Sequence, residues 1–136
     1  MRFFIDNCVP PRWAPALAAL GGVEVTHLRA RFPNDITDVE WIHSLADEGD
    51  WTIISGDLRI TRSLHERQAW HSSGLTAFFL SKGWNIEFWE KTVRIVRWWP
   101  KIMEQANLVQ PGAGFFVPSR FRDGKFEQVP LSRRST

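Results

Sequence analysis

At 136 residues and 43% hydrophobic, the chain has the size of one domain with a substantial core, made heavily aromatic by eight Trp and ten Phe without a Tyr. Its single cysteine, Cys8, excludes an internal disulfide, and no secretory pattern or long apolar run appears, so a cytoplasmic protein with no membrane span is expected. The net charge of +2 is too small to mark a nucleic-acid binder by itself, but it is unevenly spread: Asn34 to Asp57 carries seven acids and no Lys or Arg, whereas residues 119–136 carry five bases and two acids.

Four short, nearly continuous apolar runs stand out: Arg2–Ile5, Val23–Leu28, Trp51–Ser55 and Leu75–Leu80. Runs of this kind suit parallel strands covered on both faces. Pro10 and Pro11 open a helix that runs from about Trp13 through Leu20 and stops at Gly21-Gly22. Thr37 to Glu48 and Ile60 to His71 read as two further helices. The alternation predicts a three-layer α/β/α sandwich with a mostly parallel sheet.

A long helix is expected from Ile86 to Ala106, with Pro100 kinking it or ending its regular part near Trp98. Its Lys91, Arg94, Arg97 and Lys101 form a basic stripe that reads either as an RNA track or as a surface paired with Glu87 and Glu90, four residues upstream of Lys91 and Arg94. Trp98 and Trp99 are expected to leave aromatic surface for a protein partner, unless Trp99 packs on the sheet and only Trp98 shows. The domain is assigned to residues 1–118, and 119–136 to a basic tail, with disorder expected over 125–136.

The chemistry gathers at the carboxyl ends of the strands, where open α/β sheets collect ligands. Asp6 directly follows the first strand, and Asp57 follows the third in "WTIISGD". A single acid there is usually a turn residue or a helix cap; two at one edge weaken that reading. "NDITDVEW" supplies a third. With Thr37 as N-cap, Asp38 falls on the apolar stripe of Trp41, Ile42 and Leu45, facing the sheet, while Glu40 falls on the polar side. Thr37 and Glu40 also fit a capping box, which makes Glu40 the less favoured ligand. Three carboxylates at one edge suit a hard divalent cation, Mg²⁺ or Mn²⁺, able to activate water and neutralise a phosphate. The four histidines lack zinc spacing, and Cys8 reads as a small buried filler rather than a nucleophile.

"FFIDNCVPP", "TDVEWIHSLADEGDWTIISGD" and "LTAFFLSKG" resemble the PIN-like domains grouped with VapC-type toxins of bacterial toxin–antitoxin pairs, over about Met1 to Ile102. The resemblance implies an α/β/α sandwich whose acidic cluster binds Mg²⁺ or Mn²⁺ and cleaves RNA, a cognate antitoxin as partner, and a homodimer as a further association to test. It places the family's acids on Asp6, on Asp38 or Glu40, and on Asp57. Many members carry another acid close to the last; here "SGDLRITRS" offers Arg59 and Arg62 instead. These two arginines become candidate phosphate contacts, with Asn7 as a hydrogen-bond partner beside them.

Two rivals remain. A phosphoacceptor receiver would use Asp6, Asp57 and Lys82, but it needs an acidic pair after the first strand, where this chain has Asp6-Asn7, and its lysine after a fifth run rather than the fourth. A PIN-fold binding module without catalysis is consistent with the missing acid near Asp57.

Overall fold

Each apolar run pairs with its neighbours in a single sheet. A computed structural model of the chain describes residues 1–109 and 111–130, with β1 at Arg2–Ile5, α1 at Trp13–Gly21, β2 at Glu24–His27, α2 at Asp38–Glu48, β3 at Trp51–Ser55 and β4 at Thr76–Leu80. The second half adds α5 at Phe88–Leu108, β5 at Gly114–Val117 and β6 at Glu127–Gln128. The strand order is β2-β1-β3-β4-β5-β6, parallel throughout except for β6, which pairs antiparallel with β5.

Strand alternation sends side chains into two cores. Phe3, Ile5, Ile54 and Phe78 pack with Trp13 and Leu17 of α1 and with Ile95, Trp98, Trp99 and Ile102 of α5. Phe4, Ile53 and Phe79 face the other way, onto Trp41, Ile42 and Leu45 of α2 and onto Trp70. With α1 and α5 over one face and α2 over the other, the α/β/α sandwich is complete. No helix of the described residues is long and apolar enough to cross a membrane.

Three expectations are corrected. The segment Ile60 to His71 is not one helix: a short α3 (Arg59–Arg62) and α4 (Leu64–Ser73) meet at Ser63, whose backbone is extended (φ −75°, ψ 134°) and whose carbonyl accepts from Arg67 N–H at 2.8 Å. Second, α5 does not end near Trp98 but continues past Pro100 to Leu108. Proline forfeits its own N–H bond to the carbonyl four residues back, but Pro100 and Val96 are both exposed, where water can take that carbonyl. Third, Trp98 and Trp99 are both buried and offer no docking surface. The Trp99 indole donates to Leu17 O at 2.9 Å, and Trp98 lies 4.8 Å from Phe121 and 5.0 Å from Phe126, ring centre to ring centre.

Those two phenylalanines also revise the C-terminal segment. Residues 119–130, read as the start of a loose tail, return to the domain: Phe121 and Phe126 pack against the core, Val129 is buried, and β6 extends the sheet. Residues 131–136 lie outside the described residues.

Candidate active site

β1 and β3 lie side by side and end level with one another, Ile5 opposite Ile54, so the residues that follow them are neighbours. Asp6 N–H continues the ladder to Ile54 O at 3.2 Å, and the Asp6 carboxyl then turns into a nest of donors. Its Oδ1 accepts from Cys8 N–H at 3.1 Å and Gly56 N–H at 3.2 Å, and its Oδ2 accepts from the Ser55 hydroxyl. Gly56 is needed for this approach, since a Cβ there would stand 2.9 Å from Cys8 Cβ. Asp6 is only 2% exposed, and burial, outweighing its donors, pushes its pKa up to about 6.

Ser55 links this acid to the next: its Oγ accepts from Asp57 N–H at 2.9 Å. Asp57 is itself 7% exposed and is gripped by Arg59, with Nε 3.0 Å from Oδ1 and Nη2 2.8 Å from Oδ2, while Arg59 N–H reaches Oδ1 at 3.0 Å. The other neighbour of Asp57 is Asp38, on the first turn of α2. Burial and then the adjoining Asp57 carboxyl push Asp38 up to about 7, against a bond from the Trp41 indole N–H to its Oδ1 at 2.9 Å. Burial also acts to raise Asp57, but the Arg59 fork and the hydrogen bond with Asp38 overcome it and leave Asp57 below the ordinary carboxylate value. Between the two carboxyls, Asp38 is thus the one held towards its protonated form and Asp57 the one held ionised.

The expected site residues divide. Asp6, Asp38 and Asp57 are brought together at the carboxyl edge of the sheet. Glu40 is not: the capping box forms, with Glu40 Oε1 accepting from Thr37 N–H at 3.0 Å and from the Thr37 hydroxyl at 2.9 Å, and these bonds hold its pKa down. Asn7 is tied elsewhere, its Oδ1 accepting from Arg29 Nε at 3.0 Å. Arg62 is exposed on a neighbouring cleft with Arg67 and Phe116. Cys8 is exposed rather than buried; desolvation of its sulfur and the surrounding carboxylates push the thiol up to about 11, which rules out a thiolate nucleophile at neutral pH.

Sequence reasoning missed two supports. Ser55, a strand-end hydroxyl, joins Asp6 to Asp57. His27 is 96% buried; its Nε2–H donates to Val9 O at 2.8 Å while its Nδ1 accepts from Arg29 N–H at 3.0 Å, which fixes the loop carrying Asp6. The signal for Ser55 was its place two residues before Asp57, a common spacing for a hydroxyl to cap a turn N–H. His27 had no local signal.

The donor set is all oxygen, which suits a hard cation, and the Asp38–Asp57 contact calls for positive charge. As arranged, however, no three Asp, Glu, His or Cys side chains among the described residues form a group that closes around an ion, and Arg59 supplies the charge that Asp57 requires. The donors fit Mg²⁺ or Mn²⁺ in kind, provided that Arg59 yields its place on Asp57.

A parallel α/β/α sandwich with carboxylates at the carboxyl edge, where the strand order reverses between β1 and β3, defines a class of domains that place acid chemistry at that crevice. A family model described as a PIN like domain matches residues 1–82, more than half of the chain, and the chain belongs to that family, one generally associated with nucleases. No curated protein and no solved structure matched.

Proposed function

We propose that this protein is a metal-dependent endoribonuclease, and that Asp6, Asp38 and Asp57 hold a Mg²⁺ or Mn²⁺ ion at its active site. The observation that carries the reading is the Asp38–Asp57 carboxyl contact beside buried Asp6, an arrangement costly to the fold and suited to a divalent cation. A cation held there would neutralise charge on the phosphodiester and lower the pKa of water. The remaining roles fall to the chain itself. Asp6, fixed by three donors, sets the floor of the site; Asp38, held towards its protonated form beside Asp57, would give up that proton to a bound cation; Arg59, 68% exposed and flexible enough to leave Asp57, turns to the phosphate. The test is cleavage of single-stranded RNA with and without Mn²⁺ by wild type, Asp38→Asn and Asp57→Asn, each checked for folding by its melt.

The Arg59 fork favours a second reading, a PIN-fold module that binds without cleaving, because it occupies the carboxylate a metal would need. Absence of RNA cleavage by a folded protein with either metal would select it. The sequence resemblance further supports a toxin restrained by an antitoxin encoded beside it. Co-expression with the neighbouring reading frame, followed by size exclusion, tests that role and reports a homodimer if one forms.

A further inference from the structure

Helix α5 is apolar on two sides. One side sends Ile95, Trp98, Trp99 and Ile102 into the core. The other carries Trp89, Val93, Val96 and Pro100, which at about 100° per residue fall within roughly 60° of one another along about 16 Å of helix. Trp89 is 70% exposed, Val93 69% and Val96 39%, and Pro100 is exposed as well. The solvent side of a helix is ordinarily polar, so this stripe calls for a cover. Two polar groups along it also lack partners. Pro100 has no N–H to offer the Val96 carbonyl one turn back. Of the eight tryptophans, six bond their indole N–H within the chain and Trp98 is buried, which leaves the N–H of Trp89 in water.

The stripe is complementary to itself. Laid antiparallel on a second copy, about an axis between Arg94 and Ile95, it sets Trp89 over Pro100 of the other copy and Val93 over Val96, and does so twice. The Trp89 N–H then comes to the turn where the spare Val96 carbonyl lies. The charges agree with this direction. Glu90, Arg97 and Lys101 lie along one flank of the stripe, at about 100°, 80° and 120° from Trp89. An antiparallel pair brings that flank of one copy against the same flank of the other, so Glu90 faces Arg97 and Lys101 of its neighbour. Arg94 stays with Glu90 of its own helix at 3.2 Å, whereas Arg97 makes no ion pair among the described residues and lies 4.5 Å over the Phe121 ring. A parallel pair would instead set Glu90 on Glu90 and Arg97 on Arg97.

The area also fits a second copy. The stripe exposes apolar surface on the order of 400 Å², about half of the roughly 800 Å² that each partner gives to a standard interface, and charged flanks ordinarily supply the rest. With Glu90 and Glu104 among its cations, the flank does not suit an anionic lipid surface. We propose that the exposed stripe of α5 is an interface between two copies of this chain, paired antiparallel. No acid of the proposed metal site lies on α5, so the pairing stands apart from the nuclease reading.

Sedimentation equilibrium of the full chain, from low to high micromolar protein, tests it on wild type, Val93→Glu, Trp89→Ala and Leu108→Glu. Leu108, 74% exposed at the end of α5 and off the stripe, is the control. Wild type should dimerise as concentration rises, with its tryptophan emission moving to the blue as Trp89 is covered. Val93→Glu and Trp89→Ala should each raise the dissociation constant about tenfold or more, and Leu108→Glu should leave it unchanged. Glu90→Arg should weaken the dimer, and Glu90→Arg/Arg97→Glu should recover part of the loss, as the antiparallel direction requires. Melts of dilute protein check that each variant is folded. Wild type that stays monomeric across the range, a dimer that Val93→Glu and Trp89→Ala leave intact, or one that Leu108→Glu weakens as much, would overturn the pairing. An inactive protein in the Mn²⁺-dependent cleavage assay would leave it standing.

Discussion

Asp57 meets Asp38 on one side and the Arg59 guanidinium on the other, so its charge is satisfied from within the chain. A divalent cation bound as proposed would have to displace Arg59, and the arginine would lower its apparent affinity. Arg59→Met keeps a long stem without donors. It is expected to bind Mn²⁺ more tightly than wild type and to show the larger rise in melting temperature at equal millimolar Mn²⁺, since native-state ligands stabilise by mass action. Equal rises would show that Arg59 does not compete. The proton on Asp38 gives a pH signature. Its folded pKa, raised to about 7 from 3.8, means that the native state binds this proton more tightly than the unfolded chain. Its contribution to stability is thus greatest at low pH and falls as pH rises from about 4 to about 7. Asp38→Asn removes that loss, so its melt should gain on wild type across this window, in EDTA; a constant gap would contradict the raised pKa. Glu40 separates structure from chemistry. Glu40→Gln should keep cleavage, and Glu40→Ala should lower the melting temperature with cleavage retained, as the capping box requires.

Elements were legible where sequence carried both a period and a stop. β1 and β3 match their apolar runs to the residue, because Asp6 and Gly56-Asp57 end them, and α2 begins where Thr37 and Glu40 mark its cap. The break at Ser63 was missed although Ser63 and Glu66 have the spacing of a helix start, because neither Gly nor Pro marks it, Ile60 continues the pattern, and the Ser63 side chain makes no cap bond. The course of α5 past Pro100 was misread because the penalty for proline depends on whether water reaches the freed carbonyl, which only the fold decides. Trp98 was misread for a related reason. Adjacent helix residues point about 100° apart, so both Trp98 and Trp99 can be buried only if something beyond the sheet covers one of them. That cover is Phe121 and Phe126, distant in sequence and set in a segment whose composition reads as a tail. Phe126→Ala should cost on the order of 2 kcal/mol, less than the about 3–5 kcal/mol of a fully buried Phe, and should raise the solvent exposure of tryptophan fluorescence. An unchanged melt and spectrum would remove residues 119–130 from the fold's support.

For the molecule as a whole, the site follows from topology. The chain lays β2 to one side of β1 and β3 to the other, and the crevice this reversal opens receives Asp6 and Asp57 from the two strands and Asp38 from α2. This convergence could be read from sequence, because strand ends and a helix cap are local signals. The neighbours that tune it could not: Ser55 bridging two acids, His27 bracing a loop, and Arg59 folding back on Asp57 depend on distances fixed only by packing. The same holds for Lys91, which spacing alone paired with Glu87, since the Glu87 carboxylate caps α5 instead. The central claim is that the converged acids hold a metal that cleaves RNA. It is tested most directly by incubating single-stranded RNA with wild type and Asp57→Asn, each with Mn²⁺ and with EDTA. The account predicts cleavage by wild type with Mn²⁺ only, and none by a folded Asp57→Asn. Cleavage in EDTA, or equal cleavage by the two proteins with Mn²⁺, would contradict it.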